Sequence, residues 1–188
     1  MDKKQARAEI KRRLQGLFPE QKAQKSMAIC ERVIRLPEFQ RARAVMLFAS
    51  MPEEVDTGPL FTRSFAEGKR VAAPKCVTTD RHILAILLRG AADLAPGAYG
   101  ILEPVGKEAI PIEEIDFVLV PGYGFDPAGN RLGKGAGYYD KFMSQPGFRA
   151  ARCAVAFSAQ LLNEVPHDSH DLRVHILVTE EQVLRFSL

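Results

Sequence analysis

Residues 118–142 read VLVPGYGFDPAGNRLGKGAGYYDKF, the most informative stretch of the chain. An apolar run, Ile115 to Val120, stops at Pro121–Gly122, and a polar turn follows at Asp126–Pro127–Ala128–Gly129. Arg131–Leu132–Gly133–Lys134–Gly135–Ala136–Gly137 comes next, then Tyr138, Tyr139 and Asp140 at the predicted start of a helix. A strand, a glycine-rich basic loop and a helix N-terminus in that order are the ingredients of a phosphate cradle. Glycines let the backbone approach an anion and turn its N–H groups inward, and the helix dipole adds positive potential there. Arg131 and Lys134 bring two full charges, so the stretch predicts a nucleotide-holding loop.

The loop is neither of the common nucleotide motifs. A Walker A would need Gly at Ala128 and Ser or Thr at Gly135. Gly133, Gly135 and Gly137 give G-x-G-x-G rather than a dinucleotide fingerprint, and a start at Gly122 puts Pro127 in the last glycine's place. The plain alternative is a flexible surface turn without a ligand, against which Arg131, Lys134 and the Tyr-Tyr-Asp weigh.

Outward from the loop, apolar strands alternate with helical patterns. Lys3–Phe18 reads as an amphipathic helix ended by Pro19. A second runs from about Glu20 to Leu36, with Met27, Cys30, Val33 and Ile34 facing inward and Pro37 as its stop. Ala44–Ser50 is a strand, and a helix starts near Asp56 or Thr57, with Pro59 in its first turn and Gly68 past its end. Val71–Pro74, His82–Leu88, Ile101–Pro104, Ile115–Val120, Ala151–Phe157 and Ile176–Thr179 complete the predicted strands, and the irregular Asp80–Glu114 region has room for a hairpin or flap. This alternation predicts an α/β fold of three layers, a largely parallel sheet flanked by helices, with ligands beyond the carboxyl ends of the strands near Ser50 and Gly122.

The 188 residues, 46% of them hydrophobic, suffice for one domain with a real core, 1–188. A net charge of +3 is mildly basic and fits an anionic small molecule. There is no basic run interleaved with aromatics, so a nucleic-acid role is not expected. Lys3, Lys4, Arg7, Lys11, Arg12 and Arg13 alternate with Ala6, Ile10 and Leu14 and read mostly as a solvated helix face. Cys30, Cys76 and Cys153 are far apart and read as ordinary buried thiols in a reducing cytoplasm rather than as a zinc site or disulfide framework. No signal peptide or membrane span is read. The spacing of His167, His170 and His175 is not a zinc pattern, and most of the histidines read as surface.

The series Pro121-Gly122-x-x-Phe125-Asp126-x-x-Gly129-x-Arg131-Leu132-Gly133-x-Gly135-x-Gly137-Tyr138-Tyr139-Asp140 resembles the signature of the 5-formyltetrahydrofolate cyclo-ligase family, also called methenyltetrahydrofolate synthetases. Lys3-x-x-x-Arg7, Ser50–Thr57 and Val165-Pro166 through His170-Asp171 extend the likeness over nearly the whole chain, while His175 stands where the family often has Asp. The resemblance implies a Rossmann-like fold of the kind shared with sugar-phosphate isomerases and CoA-transferases. It also implies ATP- and Mg²⁺-dependent closure of 5-formyltetrahydrofolate to 5,10-methenyltetrahydrofolate by a cytoplasmic enzyme, as a monomer, with no nucleic acid or membrane partner.

The resemblance assigns roles residue by residue. ATP would lie on Lys3, Lys4, Arg7 and the run Arg131, Leu132, Gly133, Lys134, Gly135, Ala136, Gly137, Tyr138 and Tyr139. Folate would touch Ala49, Glu54, Lys134, Gly135, Ala136, Gly137 and Tyr138. Asp140 and Asp171 would hold the metal, and Arg131, Lys3 and Tyr138 would act in catalysis. Each has a plainer reading: solvated charges for Lys3 and Arg7, packing rings for the tyrosines, a helix-dipole carboxylate for Asp140, a solvent carboxylate for Glu54. Two rivals follow, a related enzyme of the same fold with another substrate and a non-catalytic binding paralogue.

Overall fold

The computed structural model describes residues 1–97 and 101–187. A seven-stranded sheet in the order β11-β10-β9-β6-β1-β2-β3 carries the chain. Its centre is parallel: β1 (Ala44–Met46) pairs with β2 (Arg70–Val77) and β6 (Phe117–Val120), β6 with β9 (Ala151–Val155), and β9 with β10 (Ile176–Val178). Both edges are antiparallel, β3 (His82–Leu88) on β2 and β11 (Val183–Arg185) on β10. The largely parallel reading therefore holds.

Strand periodicity divides the core in two. In β6 every residue is buried: Phe117 and Leu119 join one cluster, Val118 and Val120 the other. The first cluster meets α1 (Lys3–Gln15), α2 (Pro19–Ile34) and α4 (Gly58–Ala66) through Ile10, Ile29 and Leu60. The second meets α5 (Tyr138–Met143) through Phe142 and Met143. Burial on both faces is why β6 reads as an unbroken apolar run.

Element ends differ from the sequence reading for local reasons. α1 stops at Gln15 with Gly16 as its cap, and Pro19 opens α2 instead of ending α1. Pro37 likewise opens a short helix, α3 (Pro37–Arg41), because proline's fixed φ and missing N–H suit the first turn. Met27 points outward and is 63% exposed, its place on the inner face taken by Ser26 and Ile29. The hairpin expected within Asp80–Glu114 is β4 (Leu94–Pro96) against β5 (Leu102–Pro104), and residues 98–100 of that span lie outside the described residues.

His175 sits at the start of β10, on the edge away from the glycine loop, where its Nδ1 accepts from the Arg152 N–H at 2.9 Å. Burial, and then the Arg152 charge, push its pKa below 6.5. A neutral folded imidazole opposite an unfolded one that titrates near 6.5 makes stability full above that value and falling as pH drops through it. We expect the urea midpoint to decline between about pH 7 and pH 5.5, less steeply in His175→Asn; equal slopes would remove His175 from the pH dependence. Phe117 is fully buried and stacks edge-on against Phe39 at 5.4 Å. Phe117→Ala should cost about 3–5 kcal/mol of unfolding free energy in the same titration.

Candidate active site

The glycine loop is built on a small hairpin that the sequence alone does not reveal, β7 (Gly124–Phe125) against β8 (Arg131–Leu132). Its turn is organised by Asp126, 2% exposed. Oδ1 accepts from the Ala128 N–H at 2.9 Å and the Asn130 N–H at 3.0 Å; Oδ2 accepts from Asn130 Nδ2 and the Val165 N–H, both at 2.9 Å. The residue read as part of a polar turn is thus a buried hub joining the loop to the C-terminal segment.

Arg131 follows, 7% exposed. Its Nη1 donates to the Pro121 carbonyl at 3.1 Å, and its Nη2 to both oxygens of Asp140 at 2.8 Å. Asp140 Oδ1 also accepts from the Leu172 N–H at 3.0 Å, which brings Asp171 alongside. Arg131 Nε is buried with no partner among the described residues. Gly122 makes room for this arrangement, since a Cβ there would lie 2.5 Å from the Phe125 ring and 3.1 Å from Arg131 Cγ.

Gly135 (φ +107°) and Gly137 (φ +71°) take left-handed conformations that carry the chain from β8 into α5. α5 has six residues, too few for the helix dipole to supply what the sequence reading asked of it. Positive potential comes from side chains instead. Lys3 and Arg7, four apart on α1, share one face as expected: Arg7 Nε donates to the Gly133 carbonyl at 3.0 Å, and Lys3 Nζ lies 2.6 Å from both Asp168 Oδ2 and Asp171 Oδ2. Lys134 Nζ pairs with Glu54 Oε1 at 2.8 Å, and Glu54 Oε2 accepts from the Met51 N–H.

These groups surround one cavity of about 560 Å³ beyond the carboxyl ends of β1 and β6. Every residue that the sequence assigned to the site lines it except Lys4, which is exposed on α1. Burial lowers the pKa of Lys3, but its hydrogen bonds to Asp168 and Asp171 outweigh that and leave it raised. Burial raises Asp171, and the bonds from Lys3 and the Asp168 N–H reverse this, so its carboxyl falls below the usual value. Tyr139 is pushed upward, first by burial and then by Cys76, and its buried hydroxyl has no partner among the described residues.

Several lining residues were not foreseen. Cys76 is exposed in the cavity wall rather than buried, unlike Cys30 and Cys153. It arrives with Pro74 from β2, and Leu102 and Glu103 arrive from β5, contributions visible only once the strands are paired. Asp168 and His170 could have been found, since they stand within three residues of Asp171. The ligand atoms of these three lie within 4.8 Å of one another. Asp140, Asp171 and their neighbours offer the carboxylate oxygens that Mg²⁺ prefers, one or two from protein with phosphate and water completing the shell, so the donor set fits that ion.

A family model described as the 5-formyltetrahydrofolate cyclo-ligase family matches residues 1–180. The mouse 5-formyltetrahydrofolate cyclo-ligase is 30% identical over 190 residues, covering 95% of this chain and 94% of its own. A probable 5-formyltetrahydrofolate cyclo-ligase of Schizosaccharomyces pombe is 35% identical over 175 residues, covering 85% and 86%. The solved structure of the Aquifex aeolicus 5,10-methenyltetrahydrofolate synthetase superposes with a TM-score of 0.87 at 34% identity, over 100% of this chain and 94% of that one.

Asp126→Ala would leave buried Asn130 and Val165 N–H groups unpaired. We expect a loss of about 3 kcal/mol in urea unfolding; an unchanged midpoint would mean the turn is held by something else.

Proposed function

The chain belongs to the 5-formyltetrahydrofolate cyclo-ligase family and is a ligase, and we propose that it closes 5-formyltetrahydrofolate to 5,10-methenyltetrahydrofolate with conversion of ATP to ADP and phosphate. The observation that carries this reading is the meeting, around one cavity, of Lys3, Arg7 and Arg131 with the glycine run, Glu54 and the carboxylates Asp140 and Asp171. Phosphoryl transfer asks for positioning and charge neutralisation more than for a protein nucleophile, and that is what these side chains offer.

In this reading the formyl oxygen attacks the γ-phosphorus and the bond to ADP breaks. The 10-position nitrogen then attacks the formyl carbon and loses its proton, and the carbon–oxygen bond breaks to release phosphate. Arg131, Lys3 and Arg7 clamp the phosphates, with N–H groups of residues 133–137 and the weaker cation Lys134 beside them. Ala49 and Glu54 hold the folate, with Lys134, Gly135, Ala136 and Gly137 against it. Tyr138 lies between the two substrates and stacks on the pterin. Tyr139, whose buried hydroxyl lacks a partner, packs on the nucleotide side. Asp140 and Asp171 hold Mg²⁺, which when bound neutralises charge at the phosphates.

We extend the same proposal to a single domain, 1–188, acting as a monomer on small molecules in the cytoplasm. No described helix is long and apolar enough to cross a membrane.

The test is absorbance at the methenyl-folate band with purified protein, 5-formyltetrahydrofolate and Mg–ATP. We expect a rise that needs both ATP and Mg²⁺, with one ADP formed per turnover; folate and ATP binding without a rise would mean a non-catalytic paralogue. Asp140→Ala should reduce the rate by at least about a hundredfold through loss of the metal and of the Arg131 clamp. Near-normal turnover of that variant at limiting Mg²⁺ would remove Asp140 from the metal site.

A further inference from the structure

Asp168 has no role in the reaction as described, yet it grips one of its central cations. Lys3 Nζ lies 2.6 Å from Asp168 Oδ2 and 2.6 Å from Asp171 Oδ2, so two of its three N–H donors are spent on neighbouring carboxylates. The two are held side by side by a tight turn: the Asp171 N–H donates to the Asp168 carbonyl at 3.1 Å and the Asp168 N–H to Asp171 Oδ2 at 2.8 Å. Asp171 Oδ2 therefore already accepts twice. A divalent cation binding Asp171 at either oxygen meets the Lys3 ammonium across a single carboxylate, and like charges that close repel.

Asp168 offers the displaced ammonium another seat. Its side chain is 59% exposed against 17% for Asp171, so it is the more open end of the turn. We propose that Asp168 is a positioning residue: Lys3 and the divalent cation compete for Asp171, and Asp168 retains Lys3 at the cavity when the cation takes Asp171. This rests on the reading of Asp171 as a metal ligand. Its consequence is coupling between substrates. A nucleotide that draws Lys3 onto its phosphates vacates Asp171 for the metal, and the metal in turn leaves Lys3 to the phosphates, a reciprocity that linkage requires.

A double-mutant cycle on Mn²⁺ binding without nucleotide, read by electron paramagnetic resonance of the free ion, tests this. Lys3→Met should bind Mn²⁺ about fivefold more tightly, as expected for removing a competing exposed ion pair, and Lys3→Arg should restore the weaker binding. Asp168→Asn should weaken binding about fivefold while Lys3 is present, because the lysine then rests on Asp171 alone, and no more than about twofold in the Lys3→Met background. An equal loss in both backgrounds would make Asp168 a direct ligand and overturn the proposal. So would a Lys3→Met variant that binds no tighter, or an absence of Mn²⁺ binding in all variants. Methenyl-folate formation by the unmodified protein is a separate readout: its failure with the cycle intact would sink the reaction and leave the competition standing.

Discussion

The ion pair between Arg131 and Asp140 is the constraint on which the rest of the site hangs. Both side chains are taken out of water, 5% and 15% exposed, and such a pair repays its desolvation only when its remaining donors and acceptors are satisfied. Here they nearly are. Arg131 also holds the Pro121 carbonyl at the end of β6, and Asp140 also holds the Leu172 N–H, so the pair ties the central strand, the glycine loop, α5 and the segment bearing Asp171 into one unit. Losing either partner would strand a buried charge, typically worth about 3–5 kcal/mol. Among the described residues, the buried Nε of Arg131 and the hydroxyl of neighbouring Tyr139 are left without partners.

Around that pair the site neutralises itself. Lys3 rests on Asp168 and Asp171, Lys134 on Glu54, and Arg131 on Asp140, while Arg7 takes the Gly133 carbonyl. Cations gathered for a triphosphate would repel one another without their anionic partners. Asp168 apart, the carboxylates that balance them are, in the proposed reading, the groups that meet the metal and the folate. Substrate binding is then an exchange of partners within a prepared charge array, and loop glycines such as Gly135 and Gly137 let the backbone follow it.

Much of this was legible in the chain because the informative residues are close in sequence. The strand–loop–helix order, the glycine spacing and the placing of Lys3 and Arg7 one turn apart are all local, and local patterns map directly onto geometry. What escaped depends on distant pairing. Two-residue strands such as β7 and β8 have no periodicity to read, and Cys76 enters the cavity only because β2 extends three residues beyond Pro74, to Val77, through its pairing with β3. Pro19 and Pro37 fit a helix stop and a helix start equally well by local chemistry, and the fold uses both as starts. Asp126 looked like a turn residue, and its burial is set by Val165, thirty-nine positions away.

The most direct measurement is a crystal structure of the chain with Mg²⁺, a non-hydrolysable ATP analogue and 5-formyltetrahydrofolate. The triphosphate should lie against residues 133–137 with Arg131 and Lys3 on its oxygens, the metal on Asp140 and Asp171, and the folate against Glu54 in the same cavity. A triphosphate bound outside that cavity, or a metal held by neither aspartate, would contradict it.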